Sequence, residues 1–213
     1  MAGATDLFEI MQTMRAMRRL KPDPVPDALI AQILQAGTCA PNGANNQRWR
    51  FLVVKDPAIK KAVQVYYKKA FDEVMGPHYA TSEPPPGMTK EKYQRQRAAV
   101  EYLTDHFHEA PVWIVACLED GLSPNRGTGA SIYPAVQNML LAARALGLGA
   151  TLTTRHLMHE KESEAALGLP RGVHSYAIIP IGYPMGKFGP VGRGKLSEIV
   201  YQDRWGQPYP GLQ

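Results

Sequence analysis

The stretch PAVQNMLLAARALGLGATLTT, residues 134–154, decides the fold of this chain. Its first part is the most apolar helical segment of the sequence. It predicts a helix that begins near Pro134, a residue tolerated in a first turn, and that ends at Gly147 and Gly149. Residues 150–154 are small or β-branched and predict a strand. The stretch therefore indicates helices layered on a sheet.

Helical and strand patterns also follow one another on both sides of this stretch. Further strands are predicted at 51–54, 112–118 and 175–181. Further helices are predicted from Leu7 with Asp6 and Glu9 as a capping box, from Asp27 as an N-cap, from Pro57, from the cap Thr89 and over 160–167. Residues 76–88 are predicted to be irregular. Because no regular strand–helix–strand repeat is present, the predicted fold class is α+β rather than a doubly wound sheet.

Length and composition restrict the class of protein. The chain has 213 residues, which suits a single domain, and 45% apolar with 20% charged residues is ordinary for a globular protein. No apolar run approaches the roughly 20 residues that a membrane-spanning helix needs, and Asp6, Glu9 and Arg15 interrupt any signal-peptide core. Two cysteines, Cys39 and Cys117, predict no disulfide framework. We expect a cytoplasmic protein without a membrane partner.

Two short basic segments are candidates for binding an anion. The first holds Arg15, Arg18, Arg19 and Lys21 just after a helix, and the second is the pair Arg193 and Lys195 near the C-terminus. Arginine makes bidentate contacts with phosphate, so both segments could clamp one. A solvated connector is the alternative. The net charge of +5 does not indicate nucleic-acid binding, because no aromatic or basic stripe continues either segment.

The third candidate is the loop APNGANNQRW, residues 40–49, between a helix and a buried strand. Side-chain amides and exposed backbone N–H groups are suited to the polar edge of a planar heterocycle. The alternative is a turn with local Asx hydrogen bonds, the more common meaning of Asn-Gly. Trp49 is predicted to lie in the core.

Several other kinds of site are not supported. His156, His159 and Glu160 do not have the spacing of a known metal motif, nor do His106 and His108. No G-x-S-x-G is present, and no G-x-G-x-x-G follows a strand and opens a helix. The sequence therefore predicts no metal, no catalytic nucleophile and no Rossmann or P-loop site.

Five segments, in this order along the chain, resemble the nitroreductase superfamily of FMN-dependent oxidoreductases. They are 14–20 with the following KPDPVP, the loop 40–51, the helix 137–149, IPIGYP at 179–184 and LSEIVY at 196–201. Each motif alone is weak, whereas five in the family order are specific. The resemblance implies a mixed sheet flanked by helices and an FMN held at the interface of a homodimer.

The resemblance also implies which residues would bind FMN. The two basic segments would clamp the phosphate, the 40–49 loop of the partner subunit would lie against the flavin, and residues near 153 would lie by the flavin N5. These residues are Arg15, Ala16 and Arg18 with Arg193 and Lys195 at the phosphate, Pro41, Asn42, Gly43 and Asn45 at the flavin, and Leu152, Thr153 and Thr154 near N5. Gln137 and Asn138 are predicted to pack and frame the site.

The chain departs from the family pattern at a few positions. Met14 and Ala16 replace an Arg and a Ser at the phosphate, Asn42 replaces a Ser, and Arg48 replaces a Pro. Two cationic pairs remain, enough to balance a phosphate of about −2 charge. Residues 71–110 resemble a lid of the branch that contains iodotyrosine deiodinase. Val100 stands where that branch carries a Lys that reads a zwitterion, which argues against an amino-acid substrate.

The C-terminal residues, from about 202 to 213, are predicted to form an arm. They lack a core pattern but contain Trp205 and Tyr209 between prolines, so we expect the arm to pack on the other subunit of a domain-swapped homodimer. The whole chain, 1–213, would then be one FMN-binding domain with a lid at about 71–110.

The implied function is hydride transfer from NADPH or NADH to a small organic acceptor such as a nitroarene, a quinone or an enone, by a ping-pong scheme. The flavin would do the chemistry, so no side-chain acid or base is expected. Two alternatives remain open. One is a flavin enzyme that dehalogenates its substrate reductively or destroys flavin with oxygen, and the other is a flavin-binding protein without enzymatic activity.

Overall fold

The computed structural model describes residues 6–119, 121 and 126–212, with only the backbone of Arg126. The predicted domain's first five residues and the arm's last residue, Gln213, lie outside this range. The elements, in chain order, are α1 (Leu7–Thr13), α2 (Asp27–Thr38), β1 (Trp49–Val54), α3 (Pro57–Ala70), α4 (Gly76–Thr81), α5 (Lys90–His106), β2 (Val112–Glu119), α6 (Arg126–Ala145), β3 (Gly149–Ala150), α7 (Glu160–Leu167) and β4 (Val173–Gly182). The α+β prediction is confirmed.

The four strands form one sheet in the order β1-β2-β4-β3. All three neighbouring pairs are antiparallel. The expected mixed sheet is therefore wrong for the described part of one chain. Its four strands already pair with one another, so a parallel pair would need a further segment at one of the two open edges, β1 or β3.

Helices cover both faces of this sheet, and the side chains of β2 alternate between them. Ile114, Ala116 and Leu118 pack with α2 and α6, which contribute Ile33 and Met139 to the same cluster. The alternate residues of β2, Trp113, Val115 and Cys117, face the opposite side, where they pack with α3, α5 and α7. The period of two along a strand thus splits the core into two layers. Trp49 belongs to the first layer, as predicted.

Most helix starts follow the predicted caps. Asp6 accepts a hydrogen bond from the backbone N–H of Glu9 at 2.8 Å, and Thr89 accepts one from Lys92 at 3.3 Å. Asp56 caps α3 in the same way. Asp27 lies in the first turn of α2 rather than at its N-cap, which is Pro26. An acidic residue in the first turn still interacts favourably with the positive end of the helix dipole.

Three sequence-based predictions of elements are wrong in part. The helix expected to begin near Pro134 begins at Arg126 and contains that proline, because flanking apolar residues bury the helix on both sides of it. The strand expected over 150–154 is two residues long, although Thr153 rejoins β4 through a bridge to Ile178. The region expected to be irregular from 76 contains α4, which continues a π-helical turn, Phe71–Met75.

The C-terminal residues form a loop folded on itself rather than an extended segment. Tyr201 bridges Pro208, and the Trp205 ring lies 4.7 Å from the Tyr201 ring. Trp205 nevertheless remains 89% exposed. The arm therefore has local order but does not bury its largest side chain within one chain.

Candidate functional site

The two basic segments, far apart in sequence, lie next to each other in the structure. The backbone N–H of Met185 donates to the carbonyl of Arg19 at 3.0 Å, and Val191 donates to Gln12 at 2.9 Å. The backbone N–H of Met17 donates to the carbonyl of Ala150, at the end of β3. The first basic segment is thus held between the sheet edge and residues 183–193.

These segments form one wall of a cavity of about 720 Å³, which we call the cationic cavity. Its lining includes six cationic side chains and, among the described residues that line it, no carboxylate. The six are Arg15, Arg18, Arg19, Lys92, Arg95 and Arg193. Ala16 also lines the cavity, whereas Lys195 is exposed and lies outside its lining. The cavity has the volume of a small-molecule site and the charge of an anion site.

Arg18 is the most strongly desolvated of the predicted cations. Burial lowers the pKa of its guanidinium, opposed by Tyr67 and Tyr79. Arg15 is exposed and donates to the backbone carbonyl of Lys187 at 2.8 Å. A partly buried cation without a carboxylate in the described cavity lining is costly, so Arg18 is placed to receive an anion from outside the chain.

A second group of polar side chains lies beside Arg18, around Thr153. The hydroxyl groups of Tyr67 and Thr153 are 3.0 Å apart. Burial raises the pKa of Tyr67, although Arg155 and the Thr153 hydrogen bond oppose the shift, so the phenol is protonated at neutral pH. The guanidinium of Arg155 stacks 4.4 Å from the centre of the Tyr67 ring and donates to Thr104 at 2.5 Å. Thr153 is thereby held by a buried phenol.

The other two residues predicted for this segment are more open. Leu152 and Thr154 are exposed, while Thr151 is buried. Of the two predicted threonines, Thr153 has the hydroxyl group that contacts another side chain, that of Tyr67. Alternate residues of an extended segment point to opposite sides, so only one of the two threonines was expected to face inward.

The loop at 40–49 lines a different cavity, of about 450 Å³. Asn42 accepts a hydrogen bond from the backbone N–H of Gln47 at 2.8 Å, a local contact that spans five residues rather than the two of an Asx turn. Gly43 donates to Ser131 of α6 at 3.1 Å. Asn45 has a positive φ of 52°, and Pro41 is exposed. This cavity and the cationic cavity have no lining residue in common.

Sequence reasoning missed Tyr67, Lys92, Arg95 and Arg155 as members of the site. Lys92 and Arg95 belong to the polar face of α5. In the sequence this face has the pattern of a solvated helix surface, but in the structure it lines the cationic cavity together with the basic segments. Tyr67 reads as a core residue of α3, which it also is. Arg155 directly follows the predicted threonines, so its position was the one available signal.

Asn138 behaves as predicted for a framing residue. Its side-chain amide donates to the backbone carbonyl of Ala36 at 3.2 Å and so ties α6 to α2.

In the described residues, no helix is both long enough and apolar enough to cross a membrane.

Comparison with known proteins identifies the family. The model of the nitroreductase family matches residues 12–183. The chain is 29% identical over 199 residues to an NADH dehydrogenase of Thermus thermophilus, covering 87% of this chain and 90% of that protein. It is 28% identical over 193 residues to an iodotyrosine deiodinase of Drosophila melanogaster, covering 84% of this chain and 63% of that protein.

Solved structures show the same fold. A nitroreductase with bound FMN from Desulfitobacterium hafniense superposes with a TM-score of 0.69 at 20% identity, over 94% of this chain and all of that one. The family match takes in α5 and the first basic segment, which line the cationic cavity, whereas the second basic segment lies beyond residue 183. The chain therefore belongs to the nitroreductase family and is an oxidoreductase.

Proposed function

We propose that this protein binds FMN in the cationic cavity and transfers reducing equivalents from NADPH or NADH to a small organic acceptor. The observation that carries the proposal is the cavity itself, because it joins the two basic segments that the family pattern assigns to the phosphate. The nitroreductase from Desulfitobacterium hafniense, which shares the fold, binds FMN.

The residues present fit a flavin mononucleotide. Arg15, Arg18 and Arg193 offer guanidinium groups that suit a phosphate of about −2 charge. Gly192 has no side chain, so its backbone is open to the cavity. A Cβ at this position would lie 3.1 Å from the Lys92 amine, which shows that the backbone here runs close to the cationic side chains. Ala16 lines the cavity wall without a hydroxyl group, so the guanidinium groups would bind the phosphate without a hydrogen bond from this position. Lys195 would add its charge from outside the lining.

FMN, when bound, would supply the redox chemistry by accepting two electrons and a proton and passing them on. The side chains of this protein would orient the bound molecules and hold protons. Since Tyr67 is protonated, its hydroxyl group can donate to the Thr153 oxygen, which leaves the hydrogen of Thr153 for an acceptor beside it, although Thr153 lies outside the lining of the cationic cavity. Leu152 and Thr154 would border the same acceptor from their exposed positions. No side-chain acid or base is required.

The net reaction balances without a further reactant. NAD(P)H gives a hydride and is oxidised, and the acceptor takes that hydride and one proton from water. A nitroarene, quinone or enone is an acceptor of this kind. Because the cavity opens to solvent, reductant and acceptor would use the same place in turn, which is a ping-pong scheme.

A homodimer would complete the site. In the loop with Pro41, Asn42, Gly43 and Asn45, Asn42 and Gly43 line a second cavity, apart from the cationic cavity of the same chain. We propose that this loop serves the flavin of the partner subunit. The chain would then be a single domain, 1–213, with a lid at about 71–110 that includes α5 and an arm at about 202–213 that packs on the partner.

A reductive dehalogenase is the second candidate. It is favoured by the lid, since Lys92 and Arg95 of α5 line the cationic cavity, and by the similarity to the iodotyrosine deiodinase. Val100 argues against an amino-acid substrate, because this side chain is 6% exposed and packs toward the core. Its position offers no charge to a zwitterion.

Steady-state kinetics of the flavin-loaded protein test the proposal. NADPH or NADH oxidation should depend on a nitroarene or quinone, with the parallel double-reciprocal lines of a ping-pong scheme. If protein with bound FMN oxidises neither nucleotide, the proposed reductase function is wrong. Halide release with a chemical reductant in the same preparation would then favour the dehalogenase. Purified protein without flavin absorbance, even after incubation with FMN, would contradict both functions.

A further inference from the structure

We propose that Glu160, Glu164 and His174 form a binding site for one divalent transition-metal ion of the zinc class, separate from the cationic cavity. One ligand atom from each residue lies within 4.8 Å of the other two. The three residues come from α7 and β4, and none of them lines the cationic cavity. The sequence predicts no metal here, because His174 stands ten positions after Glu164, outside any known metal spacing.

The distances suit a tetrahedral ion. Glu160 and Glu164 are four residues apart on α7, so both carboxylates project from the same side of the helix. The Nδ1 atom of His174 lies 3.5 Å from a Glu164 oxygen and 3.9 Å from a Glu160 oxygen. Zinc bonds of about 2.0–2.2 Å in a tetrahedron separate ligand atoms by roughly 3.4 Å. The pair of His174 and Glu164 is at that separation already.

The contacts of His174 leave one of its ring nitrogens facing the two carboxylates. Its Nε2 atom lies 3.0 Å from the backbone carbonyl of Gly121, which accepts a hydrogen bond and so fixes the proton on Nε2. The Nδ1 atom is buried and has no hydrogen-bond partner among the described residues. Nδ1 faces the Glu164 and Glu160 oxygens at 3.5 and 3.9 Å, which is longer than a normal hydrogen bond and leaves room for an ion that takes all three atoms as ligands.

The residues around the three ligands are arranged as a metal site needs. The second oxygen of Glu164, Oε1, accepts hydrogen bonds from the backbone N–H and the hydroxyl group of Ser175, at 2.6 and 3.0 Å. These bonds fix the carboxylate and leave Oε2 toward His174. Gly121 orients the imidazole from the other side. Hydrogen bonds of this kind, from outside the ligand set, hold the ligands of most protein metal sites in place.

The donor set selects the class of ion. One imidazole nitrogen and two carboxylate oxygens match zinc and its neighbours in the transition series, whereas calcium takes six to eight oxygen ligands and magnesium keeps an octahedral shell with several waters. Two carboxylates and a neutral imidazole would balance a dication. Since the side chain of Glu160 is 42% exposed, a water molecule can complete the coordination from solvent. The ion would tie α7 to β4.

Metal titration of the untagged protein tests this site. The protein, with whatever flavin it carries, is stripped with a chelator and titrated calorimetrically with Zn²⁺, and with Co²⁺ as a coloured probe. We expect one ion per chain and a melting temperature that rises with Zn²⁺ concentration. Glu160→Gln keeps the shape of a partly exposed side chain and removes one ligand charge, so binding should weaken at least tenfold. His174→Asn should abolish the cobalt spectrum of a nitrogen-ligated ion.

The matched control is Glu109→Gln. Glu109 pairs with His106 at 3.0 Å on the surface, so the variant removes the same chemistry elsewhere and should bind zinc like the wild type. Absence of saturable binding to the wild-type protein would overturn the proposal, and the three side chains would then only contact one another. Zinc binding that Glu160→Gln leaves unchanged would also overturn it. Both readouts are independent of flavin and of oxidoreductase activity.

Discussion

At the scale of single residues, Arg18 carries the strongest expectation about ligand binding. Its guanidinium is partly desolvated inside a cavity whose described lining holds no carboxylate. We expect Arg18→Ala to weaken FMN binding by about 10- to 150-fold, because a charge-assisted contact is worth roughly 1.5–3 kcal/mol. Fluorescence titration of the flavin-free protein with FMN measures this. Lys21→Ala, in the same segment but outside the cavity lining, is the control.

Equal affinity of the wild-type and Arg18→Ala proteins would remove Arg18 from the phosphate site. A similar loss in Lys21→Ala would show that only the overall charge of the segment matters. The same titration with Arg193→Ala tells whether the two guanidinium groups share one anion. In that case the losses would not add in the double variant.

Tyr67 is the residue expected to affect redox properties without affecting affinity. Tyr67→Phe removes the phenol that contacts the Thr153 hydroxyl at 3.0 Å and leaves the ring under Arg155. Without that contact the Thr153 hydroxyl group can rotate, so the midpoint potential of the bound flavin should shift, while FMN affinity stays within about twofold. Spectroelectrochemical titration measures the potential. Tyr66→Phe, one residue earlier on α3, is the control.

A wild-type potential in both Tyr67→Phe and Thr153→Val would exclude this hydroxyl pair from tuning the flavin. Thr154→Val distinguishes the two predicted threonines. Because the Thr154 side chain is exposed, whereas Thr153 contacts Tyr67, we expect the smaller effect from Thr154.

His156 should make the stability of the fold depend on pH. The ring is fully buried, lies 3.1 Å from the Ser175 hydroxyl group, and burial lowers the pKa of His156 to about 4. In the unfolded chain the ring takes up a proton below about pH 6.5, whereas in the folded protein it stays neutral down to about pH 4. Stability contributed by the neutral ring is therefore present above pH 6.5 and is lost as the pH falls toward 4.

We expect this loss to be on the order of 3 kcal/mol of unfolding free energy between those pH values. Urea unfolding at several pH values measures it, and the difference between the wild-type protein and His156→Gln removes the contribution of the carboxylates. Identical pH profiles of the two proteins would show that His156 is not the group responsible.

At the scale of elements, the close approach of β3 to the first basic segment depends on a glycine. A Cβ at Gly149 would lie 2.8 Å from a Leu20 methyl group, 3.0 Å from Met17 and 3.1 Å from Pro184. Gly149→Ala should therefore displace the segment that carries Arg15 and Arg18, with a cost of about 1–3 kcal/mol in stability. Flavin affinity should fall with it.

Gly189→Ala is the control for this prediction, because nothing lies within 4 Å of a Cβ there. Thermal unfolding and FMN titration of both variants check the two effects together. An unchanged melting temperature and affinity in Gly149→Ala would mean that Leu20 moves aside at no cost and that the packing does not position the cations.

Short sequence patterns predicted the features that depend only on residues close together in the chain. The caps Asp6 and Thr89 follow from the sequence because a side chain and a backbone N–H three residues away determine them, and the range of α7 matches the predicted 160–167. The start of α6 did not follow, since Pro134 is compatible with a helix interior only when tertiary packing compensates for the lost hydrogen bond. Strand direction also depends on tertiary structure, so local patterns did not predict that all three neighbouring strand pairs of one chain are antiparallel.

The candidate site divides in the same way. Arg15, Arg18 and Arg193 were predicted from motifs, and the structure brings them to one cavity. Lys92 and Arg95 could not be predicted, because a cation on a polar helix face has no local mark of the surface it will meet. Glu164 and His174 likewise meet only after α7 folds onto β4. A contact between two residues can be predicted from the sequence when the residues are close along the chain. A contact between distant residues depends on how the elements pack.

At the scale of the whole molecule, one chain leaves large apolar side chains uncovered at both ends of its sequence. Leu7, Phe8 and Met11 of α1 are exposed, as are Leu196, Ile199 and Trp205 near the C-terminus. Monomeric proteins rarely expose apolar groups in such clusters, so these surfaces suit burial against another chain. A second copy is the partner that we propose, in line with our proposal that the loop with Asn42 and Gly43 serves the flavin of the partner subunit.

Truncation of the chain after Tyr201 should therefore weaken the dimer and the retention of flavin together. The truncation removes Trp205 and Pro208, which the arm folds against Tyr201 without burying the indole. If that indole is buried by the partner, its removal costs the dimer about 3–5 kcal/mol, the range for loss of a buried tryptophan side chain. Bound flavin and dimer stabilise each other by linkage, so dissociation should release FMN.

Sedimentation velocity, recorded at the protein and flavin absorbances in the same cell, follows both effects at once. We expect the truncated chain to sediment increasingly as a monomer on dilution, with free flavin remaining near the meniscus, while the full-length chain stays dimeric and yellow. Trp205→Ala should give an intermediate result, because it removes the indole and keeps the rest of the arm. A truncated chain that is fully dimeric and fully yellow would show that the arm does not hold the subunits together, and the exposed face of α1 would then have to provide the interface alone.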